Sequence, residues 1–426
     1  MLCAPAVSRQ PIARVAAMSA PCRFCGTPLE HVFADLGKSP LANSYLAADQ
    51  VNAMEPFYPL KALVCSACLL VQLEEFQSAD HIFSDYLYFS SYSSSWLAHS
   101  EQYVQQMIDR FGLDASSQVV ELASNDGYLL QYFQRRGVPV LGIEPAANVA
   151  AIATEKGIES LVQFFGVQTA QSLVPERKAD LLLGNNVLAH VPDLNDFVGG
   201  MKILLKDDGV ITMEFPHLLR QVTEMQWDTI YHEHFSYLSF LTVQKVFAAH
   251  GLRLFDVEEL PTHGGSLRIY GCHAQDAAKV ERPAVTDLLA RERAAGLDDV
   301  QTYLEYGRRV EADKRHIVRF LFDLKTQGKT IVGYGAPAKG NTLLNYCGLR
   351  TDVLEYTVDL NVHKQGRYLP GTQIPILAPD RIWETKPDVV LILPWNLREE
   401  VMEQTGYIRD WGGCFAARAP ELQLFP

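Results

Sequence analysis

The chain has 426 residues, of which 48% are hydrophobic and 20% charged, and a formal net charge of −13. Its length points to two or three domains, and its apolar content excludes a disordered chain. The acidic balance excludes a broad nucleic-acid or anionic-membrane surface, and no apolar run nears the roughly 20 residues that span a bilayer.

Residues 1–20 carry Arg9 and Arg14 without a continuous apolar core. They read as a disordered leader rather than a signal peptide, with Met18 an alternative start. A cytoplasmic location follows, where paired cysteines serve as metal ligands more readily than as disulfides. Cys22 and Cys25 form one Cys-x-x-Cys loop, and Cys65 and Cys68 form a second. Each loop places two thiolates on one side of a turn, and two loops complete a tetrahedral sulfur site for zinc. Four thiolates leave no open position, so the metal is expected to be structural. Residues 21–80 are therefore taken as a zinc-binding domain. In the following stretch, Tyr86 either packs at the domain interface or covers a substrate.

Domain 81–275 opens with an apolar strand at Gln118–Leu122 that runs through Glu121 into the turn Ala123-Ser124-Asn125-Asp126-Gly127. A helix from Tyr128 to Arg136 and a strand at Pro139–Ile143 ending at Glu144 follow. A carboxylate at that strand end is placed to accept both hydroxyls of a ribose, and Gly127 allows close approach of the backbone. Strand Ala179–Leu183 delivers Asn185, Asn186 and His190 at its carboxyl end, where open α/β sheets bind ligands. With strands at Gly209–Glu214, Arg253–Leu260 and Ser266–Cys272, the order matches a class I methyltransferase sheet closed by an antiparallel hairpin. Glu121, Ala123, Asn125, Asp126, Gly127, Glu144, Asn185 and Asn186 are the expected contacts to S-adenosylmethionine. The turn lacks the Gly-x-Gly-x-x-Gly of a dinucleotide fold.

Asp228–Tyr237 holds the densest group of proton-transfer side chains, with Tyr231, His232, Glu233 and His234 consecutive. A helical reading puts Tyr231 and His234 on one face. A histidine there removes and returns a proton near neutral pH, and a phenol donates to an oxyanion. Further on, His263, Gly264, Gly265 and Arg268 form either a tight hairpin alone or a contact to phosphate or hydroxyl groups.

Charged, periodic residues 276–328 read as a helical linker. Domain 329–426 begins with a strand at Thr330–Tyr334 and the turn Gly335–Asn341, followed by strands at Leu354–Asp359 and Asp388–Leu393. Ala336, Lys339 and Asn341 in that turn either cradle a diphosphate or have only an architectural role. Gly333, Gly335 and Asp359 imitate a nicotinamide fingerprint, with the third glycine misplaced at Gly340.

From Cys22 to Pro426 the sequence resembles the sugar C-methyltransferases that act on nucleotide-linked 4-keto-deoxysugars. The resemblance rests on the two cysteine pairs, Glu121–Gly127, Asn185–His190, Tyr231–His234, His263–Arg268 and Gly335–Asn341, all in family order. It implies an α/β protein: a zinc-binding front, a class I methyltransferase domain and a Rossmann-like carboxyl-terminal domain that helps hold the nucleotide sugar. It also implies that His234 is the base, with Tyr231, Glu233 and His190 beside it. Removal of a proton next to the ketone would give an enolate that attacks the sulfonium methyl. C3 is the family's usual position, and C5 flanks the same ketone. Rival readings are an O- or N-methyltransferase, a nicotinamide oxidoreductase and a non-catalytic zinc scaffold. No heptad repeat marks an oligomer; a monomer suffices, and the oligomeric state stays open.

Overall fold

The apolar runs condense into three sheets in a computed structural model that describes residues 20–78, 90–92, 94–418 and 421–426. Nearly all of the expected leader, and Tyr86, lie outside those residues. The first sheet begins with β1 (His31–Ser39), β2 (Tyr58–Val64) and β3 (Val71–Leu73), antiparallel in that order.

The central sheet takes β4 (Val119–Leu122), β5 (Val140–Ile143), β6 (Ser160–Leu161), β7 (Ala179–Asn185) and β8 (Leu205–Pro216) as parallel neighbours. All four residues of β4 are buried, as a central strand covered on both faces requires. After β9 (Ser236–Tyr237), which leaves this sheet, β10 (Leu252–Leu260) and β11 (Ser266–His273) form the expected antiparallel hairpin. The final order is β6-β5-β4-β7-β8-β11-β10. Strand order reverses at β4, which opens a crevice at the carboxyl ends of β4, β5 and β7.

The third sheet contains β12 (Ile331–Tyr334), β13 (Thr357–Val358), β14 (Ile376–Leu377), β15 (Val389–Ile392), β16 (Cys414–Arg418) and β17 (Leu422–Phe425). Its order is β14-β13-β12-β15-β16-β17, parallel up to the last pair.

Two departures from the sequence reading bear on function. Residues 276–328 are more than a linker: the helix Val300–Thr326 packs along β1. Phe33 of β1 stacks on Tyr306 at 4.5 Å, and a Cβ at Gly307 would meet the Phe33 carbonyl oxygen at 2.8 Å. The second departure is that Asp228–Tyr237 does not form a helix. It runs as one 3-10 turn (Trp227–Thr229), a turn closed by the His234 amide donating to the Tyr231 carbonyl at 2.9 Å, and β9. β9 pairs antiparallel with β3, Val71 opposite Tyr237 and Gln72 opposite Ser236. Tertiary partners outbid the weak helix propensity of a His-, Thr- and aromatic-rich run.

That segment is held from every side. The His232 ring meets the Pro59 carbonyl at 3.1 Å, and the Thr342 hydroxyl donates to the Ile230 carbonyl at 2.9 Å. The Trp395 indole donates to Asp228 at 2.7 Å, and Arg418 pairs with Asp228 at 3.1 Å and Asp313 at 2.8 Å. No helix among the described residues is long and apolar enough to cross a membrane.

Candidate active site and zinc centre

Cys22 and Cys25 flank a tight turn in which the Gly26 amide donates to the Cys22 carbonyl at 2.9 Å, with Gly26 in the left-handed region. Cys65 and Cys68 occupy the matching turn between β2 and β3. The four sulfurs all lie within 4.8 Å of one another, with Cys22–Cys68 at 3.6 Å and Cys25–Cys65 at 3.5 Å. Sulfurs bound to zinc at about 2.3 Å stand about 3.8 Å apart at tetrahedral corners, so the donor set fits the ion. The Gln72 amide donates to the Cys22 sulfur at 3.1 Å and accepts from the Arg23 amide at 2.9 Å, the outer support such a site needs. The Cys68 carbonyl accepts from Lys245 at 3.3 Å, which ties the knuckle to the helix Phe240–Ala249 of the central domain.

At the carboxyl edge of β4 the turn is sharply wound: Ala123, Asn125 and Gly127 all have φ between 50° and 73°. Left-handed Ala and Asn cost about 1–2 kcal/mol each, and the turn is held by bonds to the next strand. The Ala123 amide donates to the Ile143 carbonyl at 2.7 Å, and the Asn125 amide to Glu144 at 2.9 Å. The other Glu144 oxygen accepts from the Ala146 amide at 2.9 Å, so each oxygen keeps a second lone pair. Burial raises the carboxyl pKa of both Glu121 and Glu144, and the Tyr128 hydroxyl opposes this at Glu121. The Asn125 side chain accepts from the Ser90 amide at 3.0 Å. Among the described residues, Asp126 Oδ1, Asn185 Nδ2 and Asn186 Oδ1 are buried without a hydrogen-bond partner. Three orphaned polar atoms at the ends of β4 and β7 suit a polar ligand laid across both strands, as S-adenosylmethionine requires. Gly127 has a structural reason besides the one expected. A Cβ there would meet the Ile158 side chain at 2.4 Å, so packing and its positive φ demand glycine.

Beyond the β7 end, His190, Tyr231 and His234 gather. The Tyr231 hydroxyl lies 2.8 Å from His234 Nε2, and the His190 and His234 rings are 4.7 Å apart and edge-to-face. The Thr229 carbonyl accepts from the His234 ring, which leaves Nε2 with the lone pair that meets the phenol. His190 Nδ1 donates to the Glu233 carbonyl at 2.7 Å. Burial holds His190 at about 4 and His234 well below its ordinary range, so both are neutral at neutral pH. Burial pushes the Glu233 carboxyl up to about 7, against a hydrogen bond from Asn43 and the charge of Lys364.

The remaining expected contacts divide. His263, left-handed at φ 54°, is 2.9 Å from the Asn186 amide and edges the Trp96 ring at 5.3 Å. Lys339 lies 4.4 Å above the Trp395 ring and donates to Asn396 at 2.8 Å, and burial lowers it to about 8. Gly265 borders a cavity of about 350 Å³ with His217, Arg220 and Glu259; none of Tyr231, Glu233 and His234 lines it. Arg268 is corrected: it is 3% exposed, paired with Glu214 at 3.2 Å and Glu258 at 3.1 Å, so its charge is spent inside the sheet. The Ala336 amide is likewise engaged, donating to Asp359 at 2.8 Å, which removes it from a phosphate cradle. Asn341 donates to the Ala42 carbonyl at 2.6 Å and joins the carboxyl-terminal domain to the zinc-binding segment. Sequence reasoning missed Asn43, Tyr45, Lys364 and Trp395, which meet the Asp228–Tyr237 segment or the Gly335–Asn341 turn from distant parts of the chain.

A seven-stranded sheet of this order, with acidic strand ends and orphaned polar atoms at its reversal point, defines a class I S-adenosylmethionine-dependent methyltransferase. Three family models match in succession: "Putative zinc binding domain" over residues 22–83, "Methyltransferase domain" over 96–257 and "C-methyltransferase C-terminal domain" over 261–420. C-methyltransferase NovU of Streptomyces niveus is 35% identical over 407 residues, covering 95% of this chain and 96% of that protein. A ubiquinone biosynthesis O-methyltransferase of Rhodopseudomonas palustris (strain BisA53) is 28% identical over 100 residues, 23% of this chain and 40% of that protein. A solved structure of magnesium protoporphyrin IX methyltransferase from Synechocystis PCC 6803 aligns with 42% of this chain and 82% of its own, at 13% identity and TM-score 0.34. The chain belongs to the C-methyltransferase family that carries an amino-terminal zinc-binding domain. It is a methyltransferase with S-adenosylmethionine as cofactor and a structural zinc.

Two outcomes follow. Glu144→Ala removes a charged acceptor worth about 1.5–3 kcal/mol, so calorimetry should show donor affinity falling by about ten- to a hundredfold. Stripping zinc with a chelator should speed amide exchange at Val71–Leu73 and Ser236–Tyr237 together and stop methyl transfer, while β4–β8 stay protected. Unchanged exchange at Ser236–Tyr237 would sever the metal from the catalytic segment.

Proposed function

We propose that the protein methylates a carbon next to a ketone, C3 of a nucleotide-linked 4-keto-6-deoxysugar, with His234 as the base. The observation that carries this reading is the Tyr231–His234 contact of 2.8 Å inside a pocket that keeps both imidazoles neutral. A neutral imidazole with Nδ1 held by a carbonyl presents a lone pair at Nε2, which suits removal of a proton from carbon. The bound S-adenosylmethionine supplies an electrophilic methyl group.

With the acceptor in place, the His234 lone pair takes the proton beside the ketone, and the Tyr231 hydroxyl turns to donate to the oxygen that gains charge. The structure favours Tyr231 over His190 for that donation. The only donor of a neutral His190 is Nδ1, already given to the Glu233 carbonyl, so its Nε2 is an acceptor. Lys339, at the start of the helix Ala338–Cys347 and opposite His263, is the cation suited to a diphosphate. Its value near 8 leaves it mostly charged at neutral pH. An enzyme that methylates oxygen or nitrogen needs no oxyanion donor paired with its base. A nicotinamide reading loses support because the third glycine of its fingerprint is misplaced at Gly340 and Asp359, the residue due to meet a ribose, faces Lys364 at 3.8 Å.

His234→Asn should keep donor affinity within about twofold and lower methyl transfer by at least a thousandfold, within the reach of a lost general base and the positioning it provides. The product of the wild type should carry an acid-stable methyl on carbon next to the former ketone. Normal turnover by His234→Asn, or a methyl on oxygen or nitrogen, would sink the reading.

A further inference from the structure

Both carboxylate oxygens of Glu233 accept from one group, the side-chain amide of Asn43, at 2.9 and 2.8 Å. Asn43 stands 190 residues earlier, between β1 and β2 in the zinc-binding segment. The Tyr45 hydroxyl fixes the opposite side of that amide, lying 3.2 Å from Asn43 Oδ1 while it donates to the Ala336 carbonyl at 2.6 Å. With both oxygens of the Glu233 carboxylate as acceptors, the amide must present its NH2 to Glu233. Lys364 donates to the same Ala336 carbonyl at 2.9 Å and stands 5.1 Å over the Tyr45 ring. A continuous chain thus runs from the catalytic segment through the zinc-binding segment to the glycine turn of the third sheet.

We propose that Asn43 is a positioning residue of the methyl-transfer site, holding the Glu233 carboxylate in place and linking it through Tyr45 to the Ala336 turn. The inference rests on the reading that Glu233 belongs to the catalytic group. The route to the chemistry is short: the Glu233 carbonyl accepts from His190, and His190 abuts His234. A Glu233 free to swing would move the peptide that fixes the His190 tautomer.

The groups facing Glu233 set the direction of the test. Asn43 and Tyr45 approach from the zinc-binding segment, Lys364, itself 3.8 Å from Asp359, from the third sheet, and His190 from beyond β7. Tyr231, His232 and His234 share its segment, with His232 turned to Pro59. Burial favours the neutral acid, while Asn43 and Lys364 favour the carboxylate. Removing the amide therefore raises the Glu233 pKa.

Infrared pH titration of the full-length zinc protein, wild type minus Glu233→Gln, isolates the Glu233 carboxyl band without any substrate. Asn43→Ala should move its midpoint to higher pH by about one unit, the size of one lost hydrogen bond to a charged group. Asn43→Asp, which sets a second carboxylate against the first, should move it further. In turnover assays, Asn43→Ala should lower kcat at unchanged donor affinity and zinc content and shift the Glu233-linked limb of the pH profile upward. The double variant with Glu233→Gln should be no slower than Glu233→Gln alone. An unmoved midpoint, or effects that multiply in the double variant, would overturn the proposal. If the wild type methylates no keto sugar, the substrate reading fails while the infrared titration still decides the role of Asn43.

Discussion

The pairing of β9 with β3 is the constraint on which the rest of the site depends. Two residue pairs and the bond from the Leu73 amide to the Phe235 carbonyl place the Asp228–Tyr237 segment on the edge of the zinc sheet. At about 1 kcal/mol per net hydrogen bond, that edge alone holds little. It holds because the same segment is clasped by Thr342, Trp395 and Arg418 from the third sheet and its flanks. The Asp228–Arg418–Asp313 triad adds specificity more than stability: losing Arg418 would strand the fully buried Asp228 carboxylate, at about 3–5 kcal/mol, and leave the partly exposed Asp313 without its cation. A segment with no regular helix of its own thereby gains a fixed shape from three surrounding parts.

That arrangement gives the zinc a task beyond stabilising a small domain. The knuckle fixes β3, β3 fixes β9, and β9 follows directly on His234. The same sheet carries Asn43 to Glu233 and Pro59 to His232. Dry surroundings then set the chemistry. Burial keeps the His190 and His234 imidazoles neutral, and a neutral imidazole beside a phenol suits the proposed pairing of base and oxyanion donor. The donor crevice is built separately, at the reversal point of the central sheet, from a strained turn and two buried carboxylates.

Much of this was legible in the sequence. Buried apolar runs marked six of the seven strands of the central sheet to within a few residues at each end, because covered strands have little freedom in composition; the two-residue edge strand Ser160–Leu161 is too short to show a pattern. Paired cysteines and an acidic strand end announce their chemistry locally. What failed was inference from local turns about who partners whom. Ala336 and Arg268 look available in sequence, yet Asp359, Glu214 and Glu258 occupy them, and those partners come from separate strands. Asn341 looks like part of a phosphate turn but points at Ala42. Asn43 sits in a motif-free stretch, and its contact with Glu233 spans too much chain for any pattern to signal. Gly127 was recognised as obligatory, but its packing against Ile158, a residue about thirty positions on, had no local signal.

The chemistry proposed for this site breaks a carbon–hydrogen bond before a methyl group is transferred. The most direct measurement is solvent deuterium uptake into a nucleotide-linked 4-keto-6-deoxysugar, incubated with the zinc enzyme in deuterated water and S-adenosylhomocysteine in place of the methyl donor. Deuterium at the carbon beside the ketone, dependent on His234, is the predicted result. Methyl transfer to that sugar's oxygen or nitrogen, with no deuterium entering its carbon, would contradict the account.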